Sequence, residues 1–201
     1  SPLMAKRIAE TLEMRGMEML DAPVSGGQEG AREASLTIMV GGKFEVFERM
    51  RPVFGSLGKN VTHIGGHGAG QVAKAANQII VGLTIEAVAE ALVFAAKAGV
   101  DPEKVRKALL GGYAQSRVLE VHGQRMLDRN YAPGFTSRLH QKDMRIVPET
   151  AHELGLPLPG ASTVAQYLNA LVGGGDTEVD SSAIATVLER ISGRAIGEGR
   201  D

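Results

Sequence analysis

A lysine and an asparagine lie three residues apart in residues 65–78, which read as a glycine-rich turn followed by a helix. Side chains at positions i and i+3 lie on one helical face, with Cβ atoms about 5–6 Å apart. Lys74 and Asn77 can therefore contact one small ligand together. An ammonium group so placed can donate a proton or stabilise a developing negative charge.

The glycines before Lys74 admit three interpretations. Residues 68–73 match the dinucleotide-binding pattern Gly-x-Gly-x-x-Ala, because they follow a β-like run and open a helix. That pattern also requires an acidic residue about 20 positions on, after a second strand, whereas Glu86 and Glu90 lie inside the same helical pattern. The other two interpretations are a tight turn before a surface lysine and a helix that carries a catalytic lysine.

Two further segments carry polar groups. In residues 21–27, Asp-Ala-Pro-Val-Ser-Gly-Gly, the proline interrupts regular structure, so we predict a loop. The Ser25 hydroxyl and successive backbone N–H groups can hold a carboxylate or a phosphate, or the segment is only a connector. Residues 139–144 place Lys142 beside Asp143. Because adjacent helical positions do not face one another, we predict that these two side chains do not pair.

Composition limits the classes of function. The 201 residues carry a formal net charge of −1 and are 43% hydrophobic, which gives no reason to expect nucleic acid or an anionic membrane as a partner. The absence of cysteine excludes disulfides and thiolate chemistry and fits a cytoplasmic location. No spacing of His, Asp and Glu indicates a metal site, and His140 is expected to be a structural hydrogen-bonding residue.

The first 65 residues alternate between helical and strand-like patterns. Helices are predicted from the N-terminus to about residue 15 and at 44–54, with strands at 17–21, 36–40 and 61–64. These strands are too few for an independent doubly wound sheet, so we expect them to form the edge of a sheet that further strands complete.

From Gly70 onward the pattern is helical only. A helix over 70–98 is apolar almost all round, which predicts a central helix buried by other helices or by a second subunit. We therefore expect a homo-oligomer, a dimer or a tetramer. Glu86 and Glu90 interrupt the most apolar stretch, and no secretory signal pattern precedes it, so we predict neither a membrane span nor a leader.

Glycine and proline divide the remainder into helices. Asp101 and Pro102 start one of them as cap and first residue, and others are predicted at 118–127, 139–154, 160–170 and 181–191. We thus predict an α/β segment at 1–65, an all-α segment at 66–194 headed by the long helix, and a disordered tail at 195–201.

Residues 21–27 with 36–42, 68–78 and 139–144 strongly resemble the β-hydroxyacid dehydrogenase family in motif, order and spacing, over nearly the whole chain. The resemblance implies an NAD(P)-dependent oxidoreductase with a Rossmann-type domain, a long interdomain helix and an all-α C-terminal domain. The family's N-terminal Gly-x-Gly-x-x-Gly is absent, so residues 1–65 are expected to be the C-terminal remnant of the Rossmann domain. The sequence does not distinguish NAD from NADP.

The resemblance also implies roles for individual residues. The catalytic lysine is Lys74, the substrate-binding residues are Ser25, Gly26, Gly27 and Asn77, and the cofactor-binding lysine is Lys142. The implied reaction reduces a small carboxylate-bearing semialdehyde to the 3-hydroxyacid, with tartronate semialdehyde giving glycerate.

Lys74 would act as the general acid, and the positive end of its own helix together with partial desolvation is expected to lower its pKa. Two alternatives stay open. One is a Schiff-base lysine lyase, and the other is a non-catalytic oligomerisation fragment of such an enzyme.

Overall fold

The computed structural model describes residues 1–197 and is mainly helical, with a small sheet near the N-terminus. This confirms the predicted fold class. The strands are β1 (Leu20–Asp21), β2 (Val24–Ser25), β3 (Leu36–Gly42) and β4 (Gly58–Gly65). The helices are α1 (Pro2–Glu13), α2 (Gly27–Arg32), α3 (Phe44–Gly55), α4 (Ala69–Lys97), α5 (Pro102–Leu109), α6 (Arg117–Asp128), α7 (Ser137–Glu153), α8 (Pro159–Gly173) and α9 (Ile184–Ser192), with a 3₁₀ turn at Ser181–Ala183.

The chain forms two compact units. The first comprises Ser1–Asn77 with Glu149–Leu156, and the second comprises Gln78–Pro148 with the described chain from Pro157 onward. The division falls inside α4, whose first turn is hydrogen-bonded to Asp21 of the first unit.

The first unit is built on a mixed sheet around β3. β4 pairs with β3 in parallel through the α3 crossover, and β1 and β2 pair with β3 antiparallel. β1 and β2 share one register against β3, with Leu20 opposite Gly42 and Val24 opposite Ile38. Pro23 interrupts them because it has no N–H to donate to the ladder. The core of this sheet contains Ile38, Val40 and Phe47.

The segment predicted as a loop at 21–27 differs in the structure. Val24 and Ser25 form β2, and Gly27 begins the short helix α2, which the sequence pattern did not predict. The six residues of α2 include two glycines and no apolar period, so the helix leaves no recognisable signal. The strand predicted at 17–21 is reduced to Leu20–Asp21.

In the described chain, the second unit is built of helices, with one isolated β-bridge between Thr136 and Asp180. Its largest fully buried side chains come from α4, α6, α7, α8, α9 and the segment after α9, and they include Ile85, Leu92, Met126, Met144, Leu168, Leu171, Ile184 and Ile196. Gly99, at a φ of +75°, follows the end of α4, and the Asp101 carboxylate caps α5 by accepting a hydrogen bond from Glu103 N at 2.9 Å.

The long helix is only partly buried within this chain. Val72, Ile80 and Phe94 are 51%, 67% and 75% exposed, so the other helices of this chain do not bury α4 on all sides, and burial by a second subunit stays a prediction. By length and composition α4 could cross a membrane, but 44% of its most apolar window is buried, and core helices of soluble proteins pass the same test.

The C-terminal residues that the structure describes are packed. Ile196 is fully buried, and its backbone N donates to Oε1 of Glu189 at 2.8 Å. The disordered tail predicted from residue 195 is therefore corrected for 195–197, because an apolar side chain and a buried acceptor hold the chain there. Residues 198–201 of that prediction lie outside the described residues.

Candidate active site

A buried carboxylate fixes the first turn of α4. Asp21 is 4% exposed, and its two oxygens accept hydrogen bonds from the backbone N–H groups of Gly68 at 2.7 Å and Gln71 at 2.9 Å. The first N–H groups of a helix have no partner within it and form the positive end of its dipole, so a carboxylate is favourable there. Asp21 therefore determines where the next turn of α4, with Lys74, lies.

The glycines before Lys74 are used in packing. A Cβ on Gly70 would lie 2.7 Å from the carbonyl oxygen of Asp21, and Gly68 has a φ of +84° that favours glycine. The Gly68 N–H, which a bound pyrophosphate would need, already donates to Asp21. Residues 68–73 therefore do not fit the cradle of a dinucleotide, and they form a tight turn into the helix.

Lys74 is half-buried, and its Nζ donates a hydrogen bond to the carbonyl oxygen of Val24 at 2.9 Å. Val24 immediately precedes Ser25 in β2, so the ammonium lies beside the strand that carries the predicted substrate-binding serine. Asn77, also half-buried, follows one turn later in α4. The first unit thus joins Lys74 to the Val24–Ser25 strand, across 50 residues of sequence.

The Ser-Gly-Gly segment presents its backbone to solvent. Ser25 is half-buried, and Gly26 and Gly27 are exposed, with φ values of +133° and +61°. A side chain at position 26 would also lie 3.1 Å from Leu36 Cδ2. These two positions therefore favour glycine, and their exposed backbone is open to a ligand beside the Ser25 hydroxyl.

Lys142 belongs to the second unit. It lines a cavity of about 430 Å³ with Arg138, Gln141, Arg145 and Asn169, so the lining carries three cationic side chains. An anionic or polar ligand such as part of a dinucleotide fits that set of donors. The cavity supports the predicted contact between Lys142 and the cofactor.

Lys142 and Asp143 pair, contrary to the prediction. Nζ of Lys142 lies 3.0 Å from Oδ1 of Asp143, because the long flexible lysine side chain can fold back to a neighbour that its Cβ does not face. The other carboxylate oxygen of Asp143 accepts a hydrogen bond from Nε2 of Gln78 at 2.9 Å. Sequence reasoning missed Gln78 and Asp21, since their partners are 65 and 47 residues away.

His140 is 1% exposed, and its ring lies 5.7 Å from that of Phe135 in the interior of the second unit. That burial is typical of a structural histidine. Among residues 1–197, no group of three or more His, Cys, Asp or Glu side chains is placed to hold a metal ion.

Comparison with known proteins identifies related sequences. The family model for NAD-binding of NADP-dependent 3-hydroxyisobutyrate dehydrogenase matches residues 68–188, and that for the NAD binding domain of 6-phosphogluconate dehydrogenase matches 1–65. The chain is 53% identical over 189 residues to 2-hydroxy-3-oxopropionate reductase of Escherichia coli strain K12. That match covers 94% of this chain and 65% of the relative, so the chain spans just under two thirds of the relative's length.

Solved structures show the same fold. A 3-hydroxyisobutyrate dehydrogenase from Mycobacterium tuberculosis, crystallised with L-serine, superimposes with a TM-score of 0.86 at 30% identity, over 94% of this chain and 67% of that one. A 3-hydroxyisobutyrate dehydrogenase from Salmonella typhimurium gives a TM-score of 0.83 at 33% identity, over 93% and 66% of the two chains.

Proposed function

This chain belongs to the β-hydroxyacid (3-hydroxyisobutyrate) dehydrogenase family, and from that premise we propose that it supplies the catalytic lysine of an NAD(P)-dependent semialdehyde reductase. The substrate is a small semialdehyde that bears a carboxylate, and the product is the 3-hydroxyacid. The 53% identity to 2-hydroxy-3-oxopropionate reductase favours tartronate semialdehyde, which is reduced to glycerate.

One observation carries the proposal: the Lys74 ammonium is held 2.9 Å from the Val24 carbonyl oxygen, beside Ser25. An ammonium has three N–H donors, and this hydrogen bond uses one of them to fix its position. We propose that a substrate oxygen bound next to the Ser25-Gly26-Gly27 segment accepts a hydrogen bond from the same ammonium.

Each group then has a defined task in the reduction. When bound, the nicotinamide supplies a hydride to the carbonyl carbon. As the carbon–oxygen π bond breaks, Lys74 gives a proton from Nζ to the oxygen, and its positive charge stabilises the developing alkoxide. The Ser25 hydroxyl and the exposed backbone of Gly26 and Gly27 hold the substrate carboxylate. In the reverse direction the neutral amine of Lys74 accepts the hydroxyl proton.

Asn77 and Lys142 contribute to the binding of the substrate and of the dinucleotide, respectively. The carboxamide of Asn77, one turn after Lys74 in α4, orients the substrate. Lys142 contacts the dinucleotide from the cationic cavity of the second unit. A cytoplasmic location and the absence of nucleic-acid and membrane partners stay predictions from composition.

The proposal is tested by Lys74→Met in the protein that contains this chain. Turnover of tartronate semialdehyde should fall about 10²–10⁴-fold, because the proton donor is lost, while dinucleotide affinity and Tm are retained. Lys59→Met, at an exposed lysine of β4, is the control and should retain turnover. Substantial turnover by Lys74→Met would exclude this role.

Borohydride trapping separates the proposal from Schiff-base chemistry. A Schiff base would be reduced to a stable secondary amine at Lys74, seen as added mass on the peptide that contains it. We expect no such adduct when the wild-type protein is treated with borohydride and the semialdehyde, and an adduct at Lys74 would favour the lyase.

A further inference from the structure

The buried side-chain amide of Gln78 is linked to Lys142 through the carboxylate of Asp143. Gln78 of α4 is 4% exposed, and its Nε2 donates to Oδ2 of Asp143 at 2.9 Å. Oδ1 of the same carboxylate lies 3.0 Å from Nζ of Lys142. Asp143 therefore joins an interior residue to a lysine whose side chain is 55% exposed.

The location of Gln78 is unusual for an amide. It continues the buried stripe of α4, whose other members are the apolar or small residues Gly82, Ile85, Ala89, Leu92 and Ala96. A buried amide costs free energy unless its polar atoms are hydrogen-bonded, and an apolar side chain would meet the packing requirement at this position. The hydrogen bond to Asp143 is what an apolar residue could not provide.

The orientation of Asp143 decides where Lys142 is held. Neighbouring side chains on a helix do not face each other, so the Lys142–Asp143 pair depends on the rotation of the carboxylate as well as on the lysine folding back. The Gln78 amide holds the opposite oxygen and fixes that rotation. A free lysine side chain has many rotamers, which a ligand must otherwise restrict on binding.

We propose that Gln78 is a positioning residue for the dinucleotide: it orients the Asp143 carboxylate, which holds the Lys142 ammonium ready at the cationic cavity. The inference rests on the proposed contact between Lys142 and the cofactor. Gln78 itself need not touch the dinucleotide.

The first test uses Gln78→Leu, which removes the amide with little change in volume, in the protein that contains this chain. The Kd for NADH or NADPH, measured by fluorescence titration, should rise about five- to tenfold, the effect of about one lost hydrogen bond. Gln124→Leu is the control, because Nε2 of the half-buried Gln124 makes a hydrogen bond of the same 2.9 Å length to the exposed Asp128 within α6. An unchanged Kd in Gln78→Leu would overturn the inference.

The second test distinguishes positioning from general damage to the fold. Lys142→Met should raise the dinucleotide Kd, and Gln78→Leu should add nothing further in that background. If the two substitutions raised the dinucleotide Kd independently, so that their effects multiplied in the double variant, the positioning role would be overturned. An unchanged Kd in Lys142→Met would instead contradict the proposed cofactor contact itself.

A third measurement needs no cofactor. Acetic anhydride modifies amines, and mass spectrometry of the free protein reports how fast Lys142 reacts. Release of the ammonium from Asp143 should raise its labelling severalfold in Gln78→Leu, and unchanged labelling would oppose the inference. If Gln78→Leu does not fold, Asp143→Asn, which keeps the side-chain shape and removes the charge, is tested in the same cycle with Lys142→Met.

Discussion

Gly41 of β3 and Gly70 of α4 bring a strand and a helix closer than side chains permit, since a Cβ on Gly41 would lie 2.7 Å from the Gly70 backbone nitrogen. The same approach leaves room for the Asp21 carboxylate, which holds the first turn of α4. A glycine pattern typical of dinucleotide binding therefore serves here to dock a helix, and that docking positions Lys74.

Gly70→Ala should destabilise the protein. The added Cβ would lie 2.7 Å from the carbonyl oxygen of Asp21 and 2.9 Å from its Oδ2, so the backbone must shift. We expect the free energy of unfolding to fall by about 1–3 kcal/mol in urea titrations. Gly173→Ala, at an exposed helical glycine with no atom within 4 Å, should be neutral or slightly stabilising, and equal losses in both variants would contradict this packing.

Asp180→Asn should destabilise the second unit. Burial alone would raise the pKa of Asp180, but His122, whose Nδ1 lies 3.3 Å from Oδ1, and hydrogen bonds from Ser182 offset it and hold the pKa well below its usual range. Arg125 lies 3.2 Å from the same carboxylate. Removal of this fully buried charge should lower the free energy of unfolding by about 3 kcal/mol at neutral pH.

The pH dependence gives this prediction a second check. Because the pKa is lower in the folded protein, the stabilisation by Asp180 is present above its unfolded value of 3.8 and is lost as the pH falls toward the folded value. The free energies of unfolding of the wild type and of Asp180→Asn should therefore converge as the pH falls into the acid range. Asp128→Asn, at an exposed aspartate of α6, is the control, and convergence at high pH would refute the assignment.

Glu86→Gln should stabilise the protein above neutral pH. Burial, and then the nearby carboxylate of Glu90, raises the pKa of Glu86 to about 7 from 4.5. The folded state thus binds this proton more tightly than the unfolded state, so the contribution to stability is present below pH 4.5 and is lost as the pH rises through about 7.

Thermal unfolding from acid to alkaline pH measures this effect. The fall in wild-type Tm between pH 4.5 and 7 should be smaller in Glu86→Gln, whose side chain stays neutral. Glu10→Gln, on the exposed surface of α1, should preserve the wild-type slope. A Glu86→Gln protein less stable than wild type at alkaline pH would contradict the prediction.

Phe94→Glu should weaken self-association. Phe94 and Ile80 are large apolar side chains exposed on α4, and a second copy of the chain would bury them. Sedimentation velocity should show a dimer or a tetramer for the wild type and a smaller species for Phe94→Glu. Ile191→Glu, at a 71% exposed position on α9, is the control. A wild-type monomer at micromolar concentration would remove the basis for an oligomer.

The sequence by itself determined the elements whose signals are local. The helix predicted at 70–98 is observed at Ala69–Lys97, because its apolar pattern and the stop at Gly99 are properties of adjacent residues. The cap at Asp101 and the helix at Phe44–Gly55 were predicted for the same reason. Recognition of the family rested on short motifs whose order and spacing are visible in the chain.

Only the tertiary structure decided the contacts that make those motifs a site. The bonds from Lys74 to Val24, from Asp21 to Gly68 and from Gln78 to Asp143 each join residues far apart in sequence. Periodicity and propensity describe neighbours along the chain, and they carry no information on which distant carbonyl or carboxylate a side chain will meet. The same limit explains why the apolar pattern of α4 did not show which of its side chains, such as Ile80 and Phe94, this chain leaves exposed.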